Sequence, residues 1–316
     1  KSYGDFMAVN RLDLTIYKGE VFGLLGPNGA GKSTTILLML GLTEVTAGTV
    51  RVCGFDPATQ AIEVKKRVGY LPDDVGFYES RSGLENLLFT AALNRIPKEE
   101  ARSRAMQLLD QVGLAADADK KAGKYSRGMR QRLGLADVLI KSPSIIILDE
   151  PTLGIDPQGV REFLELIVRL SREQGITVLL SSHHLHQVQQ VCDRVGLFVS
   201  GRLIAEGDIH ALSAKLFASE PYVVEAGVSG ADGAALTREE EALPLTESLR
   251  RIEGVGSVSF AGGMFRIGCD RDNAPAIART VVNAGYGLMV LQKKSYGLDE
   301  IYHRYFEGGG PYGKTA

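Results

Sequence analysis

Gly26-Pro27-Asn28-Gly29-Ala30-Gly31-Lys32-Ser33-Thr34 stands between an apolar run, Val21 to Leu25, and a second one, Ile36 to Leu40. A short apolar run ending at a glycine-rich turn reads as a buried strand, and the run beyond the turn as a helix. The spacing Gly26-x-x-x-x-Gly31-Lys32-Ser33 is a complete phosphate-binding loop, set between the strand and helix that such a loop requires. Its glycines let successive backbone N–H groups point inward at phosphate, and the helix N-terminus adds its positive end. Lys32 reaches the β- and γ-phosphates, and Ser33 supplies a hydroxyl to Mg²⁺. The competing reading is a plain glycine turn.

Working outward, a second buried strand is expected from Ser144 to Leu148, running into Asp149-Glu150-Pro151, and a third from Gly175 to Ser182. Each is preceded by a segment of helical period, and strands alternating with helices imply a parallel α/β sheet. Asp149 and Glu150 then emerge at the carboxyl edge of that sheet, beside the phosphate loop. One carboxylate is needed for the Mg²⁺ shell and a second can orient and deprotonate an attacking water, which assigns Asp149 to the metal and Glu150 to the base. A capping pair at a strand end is the alternative. Short strands punctuated by Gly and Pro around Val50, Val68 and Tyr70 suggest a small antiparallel sheet beside the main one. From Ser82 to about Lys141 the period is helical, with Leu84, Leu87 and Leu88, then Ala105, Leu108, Leu109 and Val112, at three- and four-residue spacing.

After Gly207 the character changes. A strand is expected from Tyr222 to Val228, then an acidic loop or exposed helical turn from Ala231 to Ala242. A helix from Leu245 to Ile252 precedes two strands, Val255 to Phe260 and Met264 to Cys269, joined at Gly262-Gly263. A helix from Ala274 to Ala284, a strand from Gly287 to Lys293 and a last helix from Leu298 to Phe306 follow. The order β-α-β-β-α-β is the split arrangement of ferredoxin-like α+β domains. A boundary near residue 218 divides the chain into 1–218 and a C-terminal accessory domain, 219–316.

The 316 residues suit two domains of about 150 each. A net charge of −2 supplies no general attraction to nucleic acid or anionic lipid, which argues against a polyanion-binding scaffold. Apolar runs such as Ile36 to Leu40 and Ile145 to Leu148 fall far short of the roughly 20 residues that cross a bilayer. Cys53, Cys192 and Cys269 stand far apart and read as buried thiols, without disulfide or zinc spacing. The opening Lys1-Ser2-Tyr3-Gly4 lacks the apolar core of a secretory signal, and a cytosolic protein is expected.

Taken in order, these motifs resemble those of the ATP-binding subunits of ABC-type transporters, over residues 1 to about 210. The resemblance implies a P-loop NTPase with a RecA-like parallel sheet core, an antiparallel β subdomain and an α-helical subdomain at about 82–141. It implies ATP and Mg²⁺ as cofactors and ATP hydrolysis as the activity. Tyr3 matches the aromatic residue on which such proteins stack adenine. Tyr125-Ser126-Arg127-Gly128-Met129-Arg130-Gln131 resembles the family signature, normally Leu-Ser-Gly-Gly-Gln; Ser126 and Gly128 are retained, while Arg127 and Met129 depart from it. Ser126 is equally a good helix N-cap. In the family mechanism the signature of one subunit closes on the γ-phosphate held by the other, so one loop and one signature per chain imply a head-to-tail homodimer.

Leu153-Gly154-Ile155-Asp156 resembles the loop that crosses that interface, which adds Asp156 to the nucleotide-contacting residues. Ser181-Ser182-His183 ends the third strand as the family's switch histidine does, giving His183 a catalytic place. His184 and His186 follow closely, but neighbouring positions on a turn rarely converge on one ion. After Gly69-Tyr70-Leu71-Pro72 the family has Gln, touching Mg²⁺ or water; here Asp73 stands in its place and is expected near the metal. Helices near Ser82 to Leu93 would form the groove for an integral membrane permease. A chain without a spanning segment would then sit peripherally at the cytoplasmic face, and the departures at Arg127 and Met129 with the added C-terminal domain resemble the exporter branch with separate ATPase and permease chains. The alternative is an ABC-type ATPase acting on ribosome or nucleic acid. Those chains usually carry two ATPase domains, long coiled coils or zinc modules, which are not found in this sequence.

Overall fold

The computed structural model describes residues 1–209, 211–212, 222–230 and 233–294. The chain divides into two compact units, Lys1–Asp208 and Ile209–Ala316. The boundary expected near residue 218 lies outside the described residues.

The first unit opens with a two-stranded antiparallel hairpin, β1 (Ser2–Tyr3) and β2 (Phe6–Met7). Then come β3 (Val21–Leu25), α1 (Lys32–Met39), α2 (Ala61–Arg67), β4 (Val68–Leu71), α3 (Gly83–Leu93), α4 (Lys98–Gln111) and α5 (Arg127–Leu139). The unit closes with β5 (Ile145–Asp149), α6 (Pro157–Gln174), β6 (Thr177–Ser182), α7 (Leu185–Val191), β7 (Arg194–Val199) and β8 (Arg202–Gly207). Six strands form one sheet in the order β4-β5-β6-β3-β7-β8, parallel except for the edge strand β8. Strands β3 and β6 are buried at every residue, as central strands covered on both faces must be. The cluster of Phe22, Leu24, Ile36, Val64, Ile147, Leu179 and Phe198 packs between the sheet and helices α1 and α2.

Local signals set the helix ends. Ser82 and Glu85 cap α3 reciprocally, each side chain accepting from the other's backbone N–H. Asp156 accepts from the Gly159 N–H at 3.1 Å, Pro157 starts α6, and Gly175 at φ 66° ends it. The strand expected from Gly175 therefore begins at Thr177.

The antiparallel sheet expected around Val50, Val68 and Tyr70 does not form. Val68 and Tyr70 belong to β4, which pairs in parallel with β5. Its Val68, Gly69 and Leu71 are buried, so this edge strand of the parallel sheet is covered on both faces. Val50 lies in irregular chain packed against the core, near an isolated bridge between Val52 and Phe55. Among the described residues of this unit, antiparallel pairing is otherwise limited to the β1–β2 hairpin, the β7–β8 edge and a bridge from Ser82 to Lys121. Cys53 also departs from expectation, being exposed, whereas Cys269 is buried.

The second unit contains β9 (Tyr222–Ser229), α8 (Glu239–Arg250), β10 (Val255–Ala261), β11 (Met264–Cys269), α9 (Ala274–Asn283) and β12 (Gly287–Lys294). Its sheet is antiparallel in the order β10-β11-β9-β12, the ferredoxin-like order. Val224, Ala226, Phe265, Ile267 and Val258 share its core with Leu245 and Leu249 of α8 and Ile277 and Val281 of α9. Of the two readings for Ala231 to Ala242, the acidic residues from Glu239 onward take the helical one, forming the first turns of α8. The helix expected at Leu298 to Phe306 lies outside the described residues.

Candidate active site

Register brings the chemistry to one edge. In the parallel ladder Leu24 pairs with Ser181 and Leu25 with Ser182, while Asp149 also pairs with Ser181. The carboxyl ends of β3, β5 and β6 therefore release the phosphate loop, Asp149-Glu150 and Ser182-His183 side by side, at the crevice where ligands meet open α/β sheets.

Gly31 lies at φ 101°, and a Cβ there would stand 2.4 Å from the Ala8 carbonyl oxygen, so glycine alone fits. As N-cap of α1 it offers no side-chain bond, which leaves the first helical amides for an outside acceptor. Lys32 is 6% exposed, and its Nζ donates to Gly26 O at 2.7 Å and Pro27 O at 3.2 Å. The ammonium thus folds over its own loop. Burial lowers its pKa, and the carboxylates of Glu150 and Asp149 oppose that shift. Asn28 and Gly29 are exposed at the loop tip, with Ala30 buried beneath.

Ser33 Oγ donates to Asp149 Oδ2 at 3.1 Å. Asp149 is 7% exposed, and burial raises its pKa against the hydrogen bonds of Ser181 and Ser33. Glu150 sits in the left-handed region at φ 47°, its N–H bonded to Ser181 O. Its Oε1 lies 2.9 Å from His183 Nδ1 and 3.8 Å from Lys32 Nζ. Its Oε2 is buried without a hydrogen-bond partner among the described residues. A hydroxyl and two carboxylates beside a buried lysine form an oxygen-rich, mixed-charge donor set that fits a divalent cation and a phosphate group.

The remaining expected residues fall into other places. Ser126 caps α5, its Oγ accepting from Met129 N at 3.2 Å. Arg127 donates to the carbonyls of Leu153 and Asp73, and Gly128 lies against Ile155. These residues form a second cluster, bonded to the loops after β4 and β5 rather than to the phosphate loop. The Asp73 carboxylate accepts from the Asp74 N–H at 2.9 Å and makes no hydrogen bond to Ser33 or Asp149, although its charge helps raise the Asp149 pKa. Tyr3 is exposed on the hairpin, with the Lys1 ammonium 4.6 Å from its ring centroid.

Other neighbours carry no local sequence signal. The Tyr70 hydroxyl is pushed up to about 12 by burial and by the charges of Asp149 and Asp73, so it stays neutral beside them. Thr152 Oγ1 donates to Gln187 at 2.5 Å, tying the turn after Glu150 to the helix after His183. Their separation of 35 residues hides that contact from any motif.

A profile of the ABC transporter family matches residues 9–153. The chain is 36% identical over 236 residues to the linearmycin resistance ATP-binding protein LnrL of Bacillus subtilis, covering 75% of each chain. Among solved structures it is similar to cbiO1 from Clostridium perfringens, part of an ABC transporter complex, with a TM-score of 0.61, 30% identity and coverage of 67% of this chain and 84% of that one. It is also similar to the ATP-binding cassette MJ0796, solved as a post-hydrolysis dimer bound to ADP and Pi, with a TM-score of 0.59, 25% identity and coverage of 66% and 94%.

Proposed function

The chain belongs to the ABC transporter family of ATP-binding proteins, and from that membership we propose that it hydrolyses ATP as a head-to-tail homodimer driving a separate integral membrane permease in export. The observation that carries the reading is the meeting of Lys32, Glu150 and His183 around one carboxylate oxygen, next to the Ser33–Asp149 pair.

In this reading the backbone of Gly26–Thr34 and the Lys32 ammonium hold the nucleotide's phosphates, and Tyr3 stacks on its base. Ser33 and Asp149 would hold Mg²⁺, with Asp73 reaching it through water. When bound, the ion neutralises charge that develops on the transferred phosphoryl group. Glu150 orients the attacking water and accepts its proton, while His183 fixes the carboxylate through Nδ1. Ser126, Gly128, Met129 and Asp156 serve the nucleotide held by the other subunit; Arg127, expected with them from the signature, instead turns its guanidinium to the Leu153 and Asp73 carbonyls. The resistance function in the LnrL name supports export, and the dimeric cassette supports the composite site. The permease would hold the subunit at the cytoplasmic face of the membrane.

The deciding experiment is Glu150→Gln. With ATP and Mg²⁺ the variant is expected to elute as a dimer by sizing with light scattering, and without nucleotide as a monomer. A variant that binds ATP with Mg²⁺ yet stays monomeric defeats the composite-site reading. Detergent-solubilised membranes should yield the tagged wild-type chain together with a polytopic protein; recovery with ribosomes or DNA instead would favour the soluble ATPase alternative.

A further inference from the structure

Arg127 is the first residue of α5, and its guanidinium bridges two loops that are far apart in sequence. Nε donates to Leu153 O at 2.6 Å, and Nη2 donates to Asp73 O at 3.1 Å. Leu153 lies three residues beyond Glu150, on the chain leaving β5, and Asp73 lies on the chain leaving β4. The Asp73 carbonyl takes a second bond from the same helix, from Gln131 Nε2 at 3.2 Å, and Gln131 is buried. The turn at Gly154 is shaped around the arginine. Gly154 has φ 73°, and a Cβ there would stand 2.9 Å from Arg127 Cδ and 3.0 Å from Nε.

We propose that Arg127 is a positioning residue: its guanidinium fork ties the Asp73 loop and the loop after Glu150 to the N-terminus of α5, so that the three shift together. This inference rests on the ATPase reading above. Both anchors are backbone carbonyls, so the link does not depend on the side chain at position 73 or 153. It does depend on a planar fork with fixed donor directions, which a lysine ammonium cannot present. A displacement of the signature helix end on dimer closure would therefore reach the loop carrying Glu150 directly, and catalytic alignment is sensitive to shifts of about 1 Å.

The test uses the full chain and the variants Arg127→Ala, Arg127→Lys, Gly154→Ala and the Arg127→Ala/Gly154→Ala double. Two measurements are made: hydrogen exchange of the nucleotide-free protein over residues 72–76 and 152–156, and steady-state ATP turnover with Mg²⁺. Arg127 is exposed, so its variants are expected to fold, which thermal melts check. The Ala variant should speed exchange in both segments. It should also lower kcat about tenfold, the factor for one lost charged hydrogen bond, with the KM for ATP nearly unchanged. The Lys variant should follow Ala rather than wild type. Gly154→Ala should lower kcat in the wild-type background and by less in Arg127→Ala, where the clash with the arginine is gone and only the backbone strain at φ 73° remains.

Unchanged exchange in either segment overturns the proposal. So does a Lys variant with wild-type kcat, or an Ala variant that raises KM at unchanged kcat, which would mean direct contact with nucleotide. If wild type itself shows no turnover, the ATPase reading fails and the exchange measurement still decides the link.

Discussion

Glu150 Oε1 lies 2.9 Å from His183 Nδ1 and 3.8 Å from Lys32 Nζ, so one carboxylate oxygen joins the ends of three parallel-sheet strands. The left-handed φ of 47° at Glu150 is an unusual place for a non-glycine residue, held here by the bond from its N–H to Ser181 O. That turn aims the side chain back across β6 toward His183. The geometry makes the pair a unit rather than two independent groups.

If they act as a unit, His183→Ala should lower kcat by about 10²-fold, in the range of a lost base-positioning contact. Glu150→Gln should lose more. The double variant should be no slower than Glu150→Gln alone, since groups that act together are not additive. Single-turnover hydrolysis at saturating ATP measures this; multiplicative losses would separate the two residues.

Gly31→Ala places a methyl group 2.4 Å from the Ala8 carbonyl at a φ of 101°. The combined backbone strain and overpacking should cost about 2–4 kcal/mol. Urea denaturation should show a lower midpoint at an unchanged slope. Nucleotide binding, followed by a fluorescent ATP analogue, should be lost with it.

Ser126 serves as a helix cap in this chain, and the proposed dimer gives it a second task. Ser126→Ala should cost about 1 kcal/mol through loss of the bond to Met129 N. In the Glu150→Gln background it should also abolish ATP-dependent dimerisation. Ser126→Asp, an equally good cap, should regain the stability but not the dimer, because its charge would meet phosphate. Recovery of both properties by Asp would leave Ser126 a cap alone.

Asp137 on α5 is an acid outside the active site whose pKa is raised, chiefly by burial, against a hydrogen bond from Thr90 and the charge of Lys141. A folded pKa above the unfolded value of 3.8 means that ionisation costs stability. The cost is full above the raised folded pKa and disappears as pH falls toward 3.8. Asp137→Asn should therefore melt above wild type near neutral pH, and the gap should narrow on acidification. A gap that widens in acid would reverse the sign. Melting curves across the acidic range give the answer.

The phosphate loop, the Asp149-Glu150 pair and the β-α-β-β-α-β order of the second unit are all legible in the chain. Each rests on spacing between near neighbours: turn glycines, apolar runs of five, helical periods. The same local logic misplaced Val68 and Tyr70, because a strand of four with a glycine reads alike in a small antiparallel sheet and at the edge of a parallel one. Its pairing with β5, with Gly69 close against Val138 and Pro143, settles which one forms. Likewise the acidic start of α8 reads equally as loop or helical turn, since no local cap marks Arg238.

Within the site, residue types announce their chemistry but not their partners. That Lys32 folds onto Gly26 O, that His183 meets Glu150 through Nδ1, and that Tyr70 stays neutral beside two carboxylates all depend on strand order and register. Arg127 shows the difference most clearly. In the chain it is a departure from a glycine signature; in the fold it bonds two carbonyls brought to it by β4 and β5. Contiguous spacing encodes local backbone shape, whereas contacts between segments tens of residues apart arise only when the sheet has brought those segments together.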